Sequence, residues 1–171
     1  MSCKAQTLTR RVVVGAALTL LLNGCGFSLR GTDSIPAALA QTYVQAGNQS
    51  MPLVRELDRQ LKIAGGGTTR DAAVATTSLR ILDDDSGERV LSLATTGGPE
   101  ELEVYHIVTF ELMRDGTRVY GPDTLTLRRD YTFDKNDVLG KRRESETLRD
   151  ALRRAIVALM LRRLALSPEV S

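Results

Sequence analysis

Leu102-Glu103-Val104-Tyr105-His106-Ile107-Val108-Thr109-Phe110-Glu111-Leu112-Met113 is the run whose reading decides the fold. Leu102, Val104, His106, Val108, Phe110 and Leu112 alternate with Glu103, Tyr105, Ile107, Thr109, Glu111 and Met113, so a strand here has one apolar face and one mixed face. Asp115-Gly116 follows and supplies the two residues able to take positive φ that a tight hairpin requires. Residues 119–133 are then the return strand, in whose far half Leu125, Leu127, Arg129, Tyr131 and Phe133 alternate with Thr124, Thr126, Arg128 and Asp130. Upstream, residues 78–82 and 89–94 are two short β-type runs. Asp83-Asp84-Asp85-Ser86-Gly87 between them reads as a polar turn or bulge.

Helical spacing brackets this strand-rich block. Before it, residues 41–46 suggest a short first strand, and Ser50 is placed to cap a helix with Pro52 in its first turn. Leu53, Leu57, Leu61 and Ala64 form its apolar stripe, and Gly65-Gly66-Gly67 stops it. After the block, a helix is expected from about Asn136, weakened at Gly140, firm from Lys141 and ended by Ser167-Pro168. Leu148, Leu152, Ile156 and Leu159 make its buried stripe, widened by Ala155, Val157 and Met160. Two amphipathic helices need one apolar surface, and a sheet with one apolar face provides it. The expectation is an α+β two-layer sandwich: a mostly antiparallel sheet of about four strands, two helices on one face, order β-α-β-β-β-α.

The N-terminus reads as an export signal. Lys4, Arg10 and Arg11 precede an apolar run of eleven residues, 12–22, inside the roughly 7–15 of a signal-peptide core and short of the ~20 that span a bilayer. Leu22-Asn23-Gly24-Cys25 then places a small residue before a cysteine, the order of a lipoprotein cleavage site. An ordinary secretory signal would need an A-x-A-type site, and none lies nearby. Residues 1–24 are expected to be removed, Cys25 to be diacylated and membrane-tethered, residues 25–41 to form an extended lead-in, and 42–171 one domain.

Without Lys4, Arg10 and Arg11 the chain has 20 basic and 21 acidic residues, so nucleic acid is not an expected partner. One cysteine remains, which excludes an internal disulfide. Tryptophan is absent and aromatics are 4%, which leaves little for sugar-stacking platforms.

Cys25-Gly26-Phe27-Ser28-Leu29-Arg30-Gly31, beginning at a lipidation site and followed by strand, helix, antiparallel strands and a long C-terminal helix, resembles the LptE family of LPS-assembly lipoproteins. The resemblance implies a non-enzymatic lipoprotein of the Gram-negative outer membrane. Such a protein would form a 1:1 complex inside the lumen of the β-barrel LptD, plugging it, helping it assemble and binding lipopolysaccharide. Loops at residues 83–87 and 95–99 would then touch the lumen wall. Gly26, rather than the Asp that retains many lipoproteins in the inner membrane, is consistent with outer-membrane sorting.

Phosphates of a lipid headgroup call for clustered Lys and Arg, whose charge-assisted hydrogen bonds are strong. The densest cluster is Lys135 with Lys141, Arg142 and Arg143; Arg128 and Arg129 on the adjoining strand point to opposite faces, so only one of them can join a given patch, and Arg129 is taken as that one. The resemblance assigns lipopolysaccharide binding to a lysine at the start of the last helix, matched by Lys141 in Val138-Leu139-Gly140-Lys141. A second basic residue before the long strand is not matched: Ala94-Thr95-Thr96-Gly97-Gly98 stands there, and Arg89 is the nearest cation. The same cations also suit a solvated helix face or a protein interface.

Other classes fit less well. Asp83-Asp84-Asp85 lacks the spacing and closing glutamate of a calcium loop. His106, the sole histidine, falls on an apolar face as a packed or hydrogen-bonded side chain, so no metal or cofactor is expected. A hydrolase would have to draw on Glu100, Glu101, Glu103 and Glu111. A free-standing envelope lipoprotein binding lipid or peptidoglycan is the alternative to a barrel partner. Replacing Cys25 with Ser should abolish lipidation and membrane association, as read by acyl labelling and membrane fractionation; an equally membrane-bound variant would refute the anchor.

Overall fold

A computed structural model describes residues 36–47, 51–95 and 97–170. The signal segment 1–24, Cys25, the lead-in as far as residue 35 and Ser50 lie outside the described residues. From Pro36 the chain makes a 3-10 turn at Ala37–Leu39, so the end of the lead-in is not extended. It continues through β1 (Thr42–Gln45), α1 (Pro52–Ile63), β2 (Thr68–Thr69), β3 (Thr77–Leu93), β4 (Pro99–Arg114), β5 (Thr117–Thr132) and α2 (Val138–Leu166).

The α+β class is as expected, but the sheet is mixed and five-stranded, in the order β2-β1-β3-β4-β5. β1 runs parallel to both β2 and β3, while β3, β4 and β5 are antiparallel. The cause is α1. A helix between two strands carries the chain back to its starting end, so the next strand pairs in parallel. β2 has two residues, too few to show any alternation.

α1 forms where the leucine stripe predicts it, and Leu53, Leu57 and Leu61 are buried. Its N-cap is Met51, without a side-chain cap. At the other end Gly65 takes φ +89°, and the Gly66 N–H donates to Leu61 O at 2.9 Å, a left-handed stop that a glycine makes without steric cost. The turn after β4 also forms as expected, with Asp115 at φ 51° and Gly116 at φ 76°.

Asp83-Asp84-Asp85-Ser86-Gly87 is not a turn. β3 is one 17-residue strand paired with β4 throughout, and the irregularity is confined to register shifts after Ile81, after Val90 and after Ser92. β1 pairs only residues 77–80 of β3, so beyond them one edge of β3 has no strand partner among the described residues, and most side chains from 82 to 91 are exposed. Gly87 serves packing: a Cβ there would lie 2.7 Å from the Tyr105 hydroxyl on β4.

Both helices cover the same face of the sheet. Val44, Leu79, Val108, Phe110, Leu112 and Leu125 meet α1 leucines and Ile156, Val157, Met160, Leu161 and Leu164 of α2 in the main core. A second cluster, Leu102, Val104, Tyr131 and Leu152, lies toward the start of α2, with Leu148 packed against it. Two polar links hold α2 to the sheet: Ser145 and Arg149 reach Glu88 on β3, and Arg163 Nη1 grips both Asp123 carboxylate oxygens on β5 at 2.8 and 2.7 Å.

Phe110 is fully buried and stacked on Tyr120 at 5.8 Å between ring centroids. Phe110→Ala should cost about 3–5 kcal/mol in urea unfolding. A cost under about 1 kcal/mol would show that the core is not packed around this ring.

Candidate binding groove

The groove is built by the first turns of α2 where they cross the sheet. Asp137 caps the helix, its Oδ1 accepting from the Gly140 N–H at 3.0 Å. A Cβ on Gly140 would collide with the Asp137 carboxylate, so this glycine leaves room for the cap and the helix runs unbroken through it. Positions 138, 141, 142, 145, 146 and 149 then recur on one side of α2. Facing Glu88, Tyr131 and Phe133 of the sheet end, they enclose a groove of about 270 Å³.

At its base lies a polar cluster. The Ser145 hydroxyl and Arg149 Nη2, the latter at 3.2 Å, donate to Glu88 Oε2, and the Tyr131 phenol lines the groove beside them. Burial alone would push the Glu88 carboxyl up, but these donors outweigh it and hold it below its usual value. Burial pushes the Tyr131 phenol up, and the adjacent Glu88 charge adds to the rise. On the wall, Lys141 Nζ lies 2.8 Å from Glu144 and Arg142 Nε 3.4 Å from Glu146.

Of the residues singled out from sequence, Lys141 and Arg142 line this groove. Arg143 and Lys135 are exposed beside it and do not line it. Arg129, opposite Val104, is on the helix side of β5 but exposed, and it does not line the groove either. Cys25 lies outside the described residues. Glu88, Tyr131, Ser145 and Arg149 are added by the structure. Arg149 could have been found from its seven-residue spacing to Arg142. Glu88 is hidden once residues 83–87 are taken as a turn.

The remaining candidates are accounted for structurally. His106 is buried between the two apolar clusters, its Nε2 2.7 Å from Asp84 Oδ1. Among the described residues no group of three or more His, Cys, Asp or Glu is placed to hold a metal ion. On the face of the sheet opposite the helices, Glu111 lies 2.7 Å from Arg80 and 3.4 Å from Arg118. Glu103 likewise lies 2.7 Å from Arg89 and 4.0 Å from Arg128, compensated by the two charges without a well-aligned hydrogen bond on Oε1. Eight residues of strand, roughly 27 Å, separate these two carboxylates. That is far beyond the ~10 Å within which two carboxylates share one hydrolytic centre.

Comparison with known proteins adds the following. A family model described as LptE, lipopolysaccharide-assembly, matches residues 39–164. The LPS-assembly lipoprotein LptE of Pectobacterium atrosepticum is 27% identical over 154 residues, spanning 90% of this chain and 83% of that protein. Among solved structures, rare lipoprotein B from Shewanella oneidensis superposes with a TM-score of 0.63 at 28% identity, over 73% of this chain and 93% of that one. Lipoprotein B from Nitrosomonas europaea superposes with a TM-score of 0.69 at 23% identity, over 82% of this chain and 90% of that one, which speaks to the fold.

A carboxylate with a depressed folded pKa adds stability above its unfolded pKa and loses it as pH falls through the folded value. Wild type should therefore lose stability as pH drops below about 4.3, and Glu88→Gln should lose less over that window, in urea unfolding at stepped pH. Parallel pH profiles would show that Glu88 is not held as described.

Proposed function

The chain belongs to the LptE family of lipopolysaccharide-assembly proteins, a family of non-enzymatic envelope lipoproteins, and on that premise we propose that it binds lipopolysaccharide through the groove at the start of α2 while seated in an LptD-like outer-membrane barrel. In this reading the acyl chains on Cys25 tether the domain to the outer membrane as a 1:1 partner and plug of the barrel. The observation that carries the ligand assignment is the convergence of Lys141, Arg142 and Arg149 on one groove. A guanidinium pairs with phosphate in a bidentate fashion and an ammonium as a point charge, so the three suit a phosphorylated headgroup.

At about 270 Å³ the groove is smaller than the 300–1,000 Å³ typical of sites that engulf a drug-sized ligand. It suits one phosphorylated sugar unit and leaves the rest of the lipid outside. Lys141, Arg142 and Arg149 already hold Glu144, Glu146 and Glu88, so an arriving phosphate exchanges one ion pair for another at each of them.

One purification tests both halves. Wild type and a Lys141→Ala, Arg142→Ala, Arg143→Ala variant are extracted from membranes in mild detergent, and bound barrel and bound lipopolysaccharide are measured. Wild type should bring an equimolar barrel; the variant should keep the barrel and lose most of the lipopolysaccharide. Recovery without a barrel would sink the partner assignment in favour of a free-standing lipoprotein. Unchanged lipopolysaccharide with a weakened barrel complex would assign the cations to the protein interface.

A further inference from the structure

Nine large hydrophobic side chains are exposed among the described residues, and five of them, Val90, Leu91, Leu93, Val138 and Leu139, lie at the end of the molecule that carries the groove. The register shows how they connect to it. Glu88, at the groove's base, is opposite Val104, and Val90 follows on the same face opposite Leu102. Leu102 is in turn opposite Tyr131 and clusters with Tyr131 and Phe133, both groove-lining. Leu93 pairs with Pro99, beside Glu100, whose carbonyl accepts from Phe133 N–H at 2.8 Å. Leu91 falls in the register shift between Val90 and Ser92.

From the helix side, Val138 belongs to both surfaces. It lines the groove three residues before Lys141 and is itself 52% exposed, and Leu139 beside it is 73% exposed. An apolar surface that abuts a cationic groove through a shared residue matches an amphiphile with an anionic head and a hydrocarbon tail. A contiguous exposed apolar patch rimmed by polar groups is the usual mark of an interaction site.

We propose that this apolar end seats the acyl chains of the phosphorylated glycolipid whose headgroup occupies the groove. The inference rests on reading the groove as a phosphate site and adds what the rest of the ligand touches. Charge complementarity selects the occupant: the tail leaves the groove past Val138, because Lys141, Arg142 and Arg149 fix the head behind it. Each chain carbon laid on Val90, Leu93 or Leu139 removes apolar surface of both partners from water.

The test compares two probes on the full chain purified in mild detergent: lipopolysaccharide, and its fully deacylated, still phosphorylated saccharide. The variants are Val90→Ser with Leu93→Ser and Leu139→Ser, all exposed positions, and separately Lys141→Ala with Arg142→Ala. The apolar variant should bind lipopolysaccharide about tenfold or more weakly while keeping wild-type affinity for the deacylated saccharide. The cationic variant should lose both. If the apolar variant binds lipopolysaccharide like wild type, the acyl assignment is overturned and the groove stands. Loss of both probes in the apolar variant would show that these residues merely shape the groove, which also overturns it. If wild type binds neither probe, the groove reading falls and takes the inference with it. Equal binding of wild type to anionic phospholipid vesicles, with the same sensitivity to the serines, would make the surface a membrane-docking patch instead.

Discussion

β4 is hydrogen-bonded along nearly its whole length on both sides, and its register cannot slip. A shift of one residue against β3 or β5 would turn Val104, Val108, Phe110 and Leu112 away from the helices and drive Glu103 and Glu111 into the core. Burying carboxylates without partners costs several kcal/mol each, so apolar and charged faces specify the same register. The flanking arginines reinforce it, because Arg80, Arg118, Arg89 and Arg128 meet these glutamates only when three strands are aligned. Every other element takes its position from this strand.

α2 depends on it most directly. The helix crosses the sheet from β3, where Ser145 and Arg149 hold Glu88, to β5, where Arg163 holds Asp123. Between these links the contact is mostly apolar, with the His106–Asp84 pair buried between the two clusters, and apolar side chains set distance better than direction. The two polar links fix direction, and with it the position of Lys141 and Arg142 over the sheet end. The groove is therefore a product of the helix's crossing, since its helix wall runs from Val138 to Arg149 and takes in the first link itself.

The sequence announces the parts of this fold that are governed by local periodicity. Alternation in residues 102–113, the Asp115-Gly116 turn, the leucine stripe of α1 and its glycine stop all form as the residue pattern requires, because each is decided by neighbours within one element. What escapes it is decided by partners elsewhere. Asp83-Asp84-Asp85-Ser86-Gly87 has turn composition, yet the β4 ladder carries it as strand, with Asp84 held to His106 and Gly87 lying under Tyr105. β1 is parallel because α1 reverses the chain, a consequence of connection rather than composition. The site follows the same division. Lys141 and Arg142 stand out as a local cluster, whereas Glu88, Tyr131 and Arg149 join them only through the tertiary crossing. Lys135, Arg143 and Arg129 share the neighbourhood in sequence without lining the groove.

The sheet face opposite the helices carries two sets of one acid between two guanidiniums, one at each end, so each set keeps one positive charge in excess. Those guanidiniums are about half exposed, so a partner packing on this face meets charge as well as shape, and added electrolyte weakens that part of the contact. At the other pole Lys135 and Arg143 add to Lys141, Arg142 and Arg149, which are paired with Glu144, Glu146 and Glu88, and the field there is screened within about 8 Å at physiological ionic strength. One molecule thus presents guanidinium clusters on two surfaces, and polar contacts made at either respond to the salinity of its compartment.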